Sequence, residues 1–515
     1  MSKAMFIKKV PSNVSEFITF DSVRRAIGFV GGPLCALLVY LSPIQDIVAS
    51  AHMLLAILTF ICIWWITEPV PIAVTALLVP VLIVVFNVAD PTDAFASFAD
   101  PIIFLFLGGF ILAKAMSVHG LDKRIAYRLL SLKWVGGSTT RIFLTIGIAS
   151  ALCSGWISNT ATAAMMLPIA LGLLSTMQNM CASNGQSADL TKSKYATGLM
   201  LMVAYGASIG GVLTPIGTPP NLIVVGLLDS MADVRISFFT WMIWGSIAMI
   251  AFFALMAFVV HHLFPTNIRN IEGAERMIAE EQAKMGRWTR GQKNTAFAFL
   301  IAVCLWVTPG VLSIVFGSDN QILAAYNDVL PESTVALLAA LLLFVLPTER
   351  AKGEFTLKWS DAVEGVDWGT LLLFGGGLSM GSMMYKTGLS LWLGDRIVDM
   401  LGGSPSYVLL TATFCVLALV MSELSSHTTA TNMVGPLAIT TAISAGVDPV
   451  PIAVGVALSA SLGFMLPVST PPNAIVYASG YVPITKMIKT GAIIDIVGIL
   501  FVTIPLVVLL VSAIV

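Results

Sequence analysis

The chain has 515 residues, 57% hydrophobic and only 11% charged, with mean hydropathy +0.91 and net charge −1. Soluble domains carry about 25% charged residues, so there are too few charges here to coat several of them. The balance of 27 basic against 28 acidic residues excludes a nucleic-acid-binding face. The six cysteines are scattered, without CxxC spacing, so neither a disulfide framework nor a thiolate metal site can be read. This is the composition of a polytopic membrane protein.

In chain order, residues 1–22 include Lys8 and Lys9 but no apolar core, and read as a cytosolic tail rather than a cleaved signal peptide. Apolar runs long enough to cross a bilayer as helices follow at 23–42, 47–66, 70–88 and 101–118. Segment 121–134 sets Leu121, Ile125 and Leu129 against Lys123, Arg124 and Arg128, as an interfacial helix does. Next come an apolar stretch with a polar knot at its centre (141–178), a run broken by Thr-Pro-Pro (197–229) and a span at 238–264. Residues 266–293 are charged and read as a cytosolic linker. The second half has spans at 296–316, 332–347 and 368–387, then an amphipathic segment at 388–402. A knotted stretch (405–445), a broken run (450–480) and a last span (490–514) complete it.

The halves repeat. Phe106, Gly108, Gly109, Gly120 and Leu121 recur 268 positions later as Phe374, Gly376, Gly377, Gly388 and Leu389. Ser154, Ser158, Thr160 and Pro168 recur at the same offset as Ser422, Ser426, Thr428 and Pro436. Thr218-Pro219-Pro220-Asn221 recurs as Thr470-Pro471-Pro472-Asn473, offset by 252, so the first half carries 16 extra residues, placed in the polar 181–195 loop. If the knotted stretches are re-entrant hairpins and the N-terminus is inside, 23 Lys and Arg fall inside. Only Arg235, Lys386 and Arg396 fall outside, as the positive-inside rule asks. The expected fold is therefore an all-α polytopic membrane protein of two inverted repeats. It has about eleven transmembrane helices plus two re-entrant hairpins, with two of the helices broken, the architecture of secondary transporters.

The knots are Ser154-Gly155-Trp156-Ile157-Ser158-Asn159-Thr160-Ala161-Thr162 and Ser422-Glu423-Leu424-Ser425-Ser426-His427-Thr428-Thr429-Ala430-Thr431. Small residues at i, i+4, i+8 also serve helix packing. Placed where a hairpin turns, however, the second arm begins a helix whose free N–H groups and dipole favour an anion. The hydroxyl, amide and carbonyl oxygens there suit a hard cation such as Na⁺. The adjacent prolines of each break remove two backbone donors and leave carbonyls in need of a cation, water or protein partner.

These four motifs, in this order and spacing, resemble the divalent anion/sodium symporter family, which includes dicarboxylate and citrate carriers, over nearly the whole chain. The resemblance implies a homodimer whose transport domain (141–264 and 405–515) slides in a fixed scaffold (23–134 and 296–402), with 265–295 as cytosolic linker. It implies a first Na⁺ site at Ser154, Ser158, Asn159 and Gly217, and a second at Ser422, Ser425, His427 and Ser469. Substrate carboxylates would meet Ser158, Asn159 and Thr160 on one side and Ser426, His427 and Thr428 on the other, near Pro219 and Pro471. The departure is His427, where most members carry Asn, and it puts the second Na⁺ site in question.

The expected function is elevator-type, Na⁺-coupled transport of small di- or tricarboxylates such as succinate, malate, fumarate, α-ketoglutarate or citrate. The expected location is a bacterial inner membrane, with the N-terminus cytosolic and the C-terminus outside. The competing readings are a Na⁺-independent exchanger with His427 replacing a sodium ion, a carrier of sulfate or another oxyanion, and an anion channel. An intramembrane hydrolase built from Glu423, His427 and a neighbouring serine would need converging geometry, and no enzyme is expected. No ATP-binding loop is present, which argues against a primary pump.

Overall fold

The computed structural model describes residues 14–183, 193–266, 268–317 and 320–514. Residues 1–13 of the expected tail and 184–192 of the expected loop insertion lie outside the described residues.

The first half begins with α1 (Val14–Leu41), α2 (Ala49–Thr67), α3 (Ile72–Val85), α4 (Pro91–Ala96), α5 (Pro101–Val118) and α6 (Leu121–Leu130). The first hairpin is α7 (Thr139–Ser154) and α8 (Asn159–Ser183). The first broken run is α9 (Lys194–Gly211) and α10 (Pro219–Ala232), and α11 (Phe238–Leu263) follows. The linker holds α12 (Ala274–Lys284). The second half runs α13 (Arg290–Phe316), α14 (Gln321–Val329), α15 (Glu332–Val345), α16 (Trp359–Gly365), α17 (Trp368–Lys386) and α18 (Leu389–Met400). Its hairpin is α19 (Tyr407–Leu424) and α20 (His427–Ser444), and its broken run is α21 (Pro449–Ala460) and α22 (Pro471–Ala478). The chain closes with α23 (Ile484–Gly498) and α24 (Ile504–Ile514), joined through a π-helical turn. Among the described residues the only sheet is one short antiparallel pair, Pro347–Glu349 with Glu354–Phe355.

The protein is a multi-pass helical membrane protein. Among the described residues, eight helical segments are long and apolar enough to cross a bilayer, or nine if α14 and α15, bent by 50°, count as one span. Two of the eight, α8 and α19, are hairpin arms, so six of the eleven expected spans are long single helices; several of the others are shorter for a local reason. Apolar runs continuous in sequence are cut by Pro-initiated turns, and α3, with 14 residues, is only about 21 Å long. Helix α1 begins at Val14, inside the segment read as tail. Of the 16 extra residues, seven lengthen α8, which has 25 residues against 18 in α20.

The hallmark glycines divide their work. Helices α5 and α15 pack together, as do α3 and α17. A Cβ on Gly108 would lie 2.7 Å from the Ala336 backbone carbon, and one on Gly376 would lie 2.5 Å from the Ala76 carbonyl oxygen. Only glycine permits these two approaches. Each helix starts on an aspartate cap: Asp100 accepts from the Ile102 amide (2.9 Å) and Asp367 from the Thr370 amide (3.0 Å). Soon after each helix ends, the next begins at a left-handed glycine, Gly120 (φ 63°) or Gly388 (φ 76°). Lys114, the lone cation inside α5, pairs with Glu364 at 3.1 Å. The linker is tied to the helices above it, with Arg124 donating to the Met285 and Gly286 carbonyls and the Ile271 amide to the Gly137 carbonyl.

Candidate functional site

At both hairpin turns a serine caps the second arm. The Ser158 hydroxyl accepts from the Ala161 amide and that of Ser426 from the Thr429 amide, each at 3.2 Å, 268 residues apart. With the third amide capped, those of Asn159 and Thr160, and of His427 and Thr428, are first-turn donors without an intrahelical partner. The tips differ one step deeper. The Ser154 hydroxyl donates to Asn159 Oδ1 at 2.6 Å, whereas its counterpart Ser422 donates to the Ala460 carbonyl at 2.6 Å. His427, buried at 5% exposure, has an Nε2 without a hydrogen-bond partner.

The Thr-Pro-Pro-Asn breaks work differently from the sequence expectation. Pro219-Pro220 and Pro471-Pro472 open α10 and α22, where no N–H is needed, so they strip no carbonyl of its donor. The carbonyls in need of donors lie earlier, at the end of α9 and in the loops that follow α9 and α21, and the motif asparagines take them. Asn221 Nδ2 donates to the Gly211 carbonyl (2.9 Å) and the Thr214 carbonyl (2.8 Å). Asn473 Nδ2 donates to the Gly463 carbonyl (3.1 Å) and the Leu466 carbonyl (3.0 Å), the same two positions shifted by 252. Each asparagine keeps a buried Oδ1 with no donor, an acceptor of the kind a hard cation uses.

Hairpin tips and break loops meet around one cavity of about 130 Å³. Ser158, Asn159, Thr160, Gly217 and Pro219 line it from the first half; Ser426, His427, Thr428, Ser469 and Pro471 line it from the second. All eight residues proposed for substrate contact are therefore brought together. Of the remaining Na⁺-site residues, Ser154, Ser422 and Ser425 sit behind the lining. No lysine or arginine lines the cavity, so its polar inventory is neutral donors, the His427 ring and one carboxylate.

That carboxylate, Asp367, is not among the residues singled out from the sequence, nor are Thr370, Phe110 and Ile216, which also line the cavity. A signal existed: Asp367-x-x-Thr370 at the head of an apolar run is a helix-start pattern. In the structure Asp367 Oδ2 accepts from the Thr370 hydroxyl at 2.7 Å. Glu423 has a structural role that its place in the knot does not reveal. Its carboxylate accepts from the Met465 amide (2.8 Å), the Leu466 amide (3.1 Å) and the Ser469 hydroxyl (2.6 Å), clamping the second break loop to the hairpin. In the first half the same link is a Thr214 hydroxyl bond to the Gly155 carbonyl, at 2.5 Å. The hydrolase-like trio does not assemble, because Ser425 donates to the Met421 carbonyl and Ser426 to the Thr429 hydroxyl. Of the second Na⁺ set, the hydroxyls of Ser422, Ser425 and Ser469 each donate to a protein acceptor.

Paired hairpins and paired helix breaks facing one polar cavity, in a multi-pass helical protein, define a secondary transporter. Comparison with known proteins narrows the class. Residues 33–511 match the family described as the sodium:sulfate symporter transmembrane region, and the chain belongs to that family. It is 34% identical over 483 residues to the sodium-dependent dicarboxylate transporter SdcS of Staphylococcus saprophyticus, covering 93% of this chain and 90% of that one. It is 32% identical over 474 residues to SdcS of Staphylococcus aureus strain USA300, covering 91% and 88%. Among solved structures, the Alcanivorax borkumensis YdaH transporter aligns over 82% of this chain and 87% of its own, with TM-score 0.54 and 14% identity. Neisseria gonorrhoeae MtrF aligns over 96% and 95%, with TM-score 0.55 and 14% identity. These two share the fold.

Proposed function

We propose that the protein is a Na⁺-coupled carrier of small dicarboxylates. The observation that carries this reading is the cavity itself: two capped helix starts and their threonines supply neutral donors for two carboxylates, while no lysine or arginine balances the charge. A dianion entering such a site brings its neutralising charge with it, and the oxygens of Ser154, Ser158 and Asn159 beside Gly217, the first and last of them buried, are of the type that holds Na⁺. The names of the SdcS relatives agree with both halves of this assignment.

In the same proposal the repeats are inverted, the N-terminus is cytosolic and the C-terminus outside, and the protein works as a homodimer. The unit containing α7–α11 and α19–α24 carries the site past a scaffold built on α3, α5, α15 and α17. One observation favours a smaller Na⁺ requirement than two equal sites would give: the buried His427 stands where the first half has Asn159, so an imidazole replaces an amide oxygen that could ligate the ion. The test is counterflow of radiolabelled succinate in proteoliposomes, with and without Na⁺, against unlabelled malate, fumarate, α-ketoglutarate, citrate and sulfate. Na⁺-dependent exchange of label for four- and five-carbon dicarboxylates supports the proposal. Current without counterflow would replace it with a channel, and preference for sulfate would replace the substrate class.

A further inference from the structure

A second cavity, of about 510 Å³, lies at the other end of the hairpin, where α7 and α9 begin and α11 ends. Its walls are fixed by internal bonds. The Thr139 hydroxyl donates to the Ile268 carbonyl (2.6 Å), the Thr139 amide to the Arg269 carbonyl (3.1 Å), and the Tyr195 hydroxyl to the Thr139 carbonyl (3.0 Å). The rest of the lining carries one cation and neutral polar groups, His261 and Asn270 among them. The Arg269 guanidinium on the rim makes no ion pair or hydrogen bond with any described residue, and no Asp or Glu lines the cavity. The hydroxyls of Ser138 and Thr140 face the same space, and α7 starts there without a side-chain cap. Opposite stands an apolar wall of Phe143 and Phe264, with the Lys486 ammonium 5.9 Å over the Phe264 ring.

An unpaired guanidinium, two hydroxyls and no counter-charge suit an oxyanion. The apolar wall and the position suit one attached to a lipid. The outward face of α11 is a strip of exposed apolar side chains, Ile243, Ile247, Ile250 and Phe258, that leads down to this opening. The positive-inside assignment puts that end of α11 at the cytoplasmic leaflet, where anionic headgroups meet basic pockets between helices. We propose that this cavity binds a phosphate group, supplied by an anionic phospholipid of the cytoplasmic leaflet, with Arg269 as its principal ligand. The bound phosphate joins the linker at Arg269 to the first turn of α7, next to the Ser138–Asn270 bridge that already ties the two together.

The experiment titrates the full-length protein in detergent with phosphatidylglycerol, phosphatidylcholine or inorganic phosphate, reading bound lipid by native mass spectrometry and thermal stability in parallel. Loss of a charge-assisted hydrogen bond weakens binding by about ten- to a hundred-fold. The expected result is therefore selective binding of phosphatidylglycerol, weakened by that factor in Arg269→Gln and by a smaller one in Thr140→Val. Arg276→Gln, an exposed cation paired with Glu280 on α12, should bind as the unaltered protein does. An Arg269-dependent response to inorganic phosphate as well as to lipid keeps the phosphate site and adds a soluble source. Equal binding of the two lipids, or binding unaltered in both Arg269→Gln and Thr140→Val, overturns the proposal. The readout is independent of transport, so it stands or falls separately from the carrier assignment.

Discussion

Phe106 and Phe374, counterparts 268 residues apart, meet each other edge to face with ring centroids 5.1 Å apart. In the proposed inverted repeat, a residue that touches its own counterpart lies where the two halves face each other. Phe106 also lines the candidate substrate cavity, so the two counterparts meet at the edge of the site. The glycines that follow each phenylalanine point two ways: Gly108 and Gly376 admit a neighbouring scaffold helix, while Gly109 and Gly377 face Ile216 and Asn432 in the segments proposed to move.

That second contact supplies a trap for the proposed motion. A Cβ on Gly109 would lie 3.5 Å from the Ile216 Cβ, within disulfide range. In a background lacking the six native cysteines, Gly109→Cys with Ile216→Cys should cross-link on oxidation and stop succinate counterflow, and reduction should restore it. Full counterflow in the cross-linked protein would count against movement of the break loop past α5.

The break-loop glycines set a second expectation. A Cβ on Gly211 would sit 2.5 Å from Asn159 Oδ1, and one on Gly463 would sit 3.0 Å from His427 Nε2, with Gly463 itself at φ 77°. Overpacking costs about 1–3 kcal/mol. Gly211→Ala should displace the Asn159 amide and lower apparent Na⁺ affinity more than it lowers thermal stability. Titrating transport against Na⁺ alongside a melting curve separates the two effects.

Removing an asparagine hook should act first on stability. Asn221→Ala leaves the Gly211 carbonyl buried without a donor and the Thr214 carbonyl with only the Gly217 amide (3.2 Å); Asn473→Ala does the same to Gly463 and to Leu466, left with the Ser469 amide (3.4 Å). Each orphaned group costs about 1–3 kcal/mol. Both variants should unfold at lower temperature in detergent, and a melting temperature equal to that of the unaltered protein would show the hooks to be dispensable.

The cavity threonines should act on substrate. Thr160→Val and Thr428→Val keep the volume while removing a hydroxyl donor to a carboxylate, an exchange worth roughly 1.5–3 kcal/mol. Apparent succinate affinity should fall by about ten- to a hundred-fold. Unchanged affinity in both would detach these tips from substrate binding.

Restoring the first-half residue in the second half tests the ion count. His427→Asn provides an amide oxygen where an imidazole now stands, an additional hard ligand beside Ser422 and Ser469. Transport should then depend more steeply on Na⁺ concentration. An identical Na⁺ dependence in the variant would mean that the ring does not stand in for an ion ligand.

Much of this protein was legible along the chain because its signals are local or repeated. Apolar run length marks membrane helices, and the scarcity of charge excludes a soluble fold. Residues such as Ser158 and Ser426 recur at a constant offset, and the cavity gathers both tips. What the chain concealed are partnerships that depend on how segments approach. The Pro-Pro pair looked like a source of bare carbonyls, yet the prolines head helices and Asn221 and Asn473 bond carbonyls that lie seven and ten residues earlier. Asp367 joins the cavity only because α17 packs where its first turn reaches the hairpin tips, and Glu423 becomes a clamp only because the second break loop folds across α19. Periodicity and composition record which face of an element avoids water, and that depends on neighbours within a turn or two. A buried donor or acceptor must find its partner wherever the packed helices place one, and only the tertiary structure decides that.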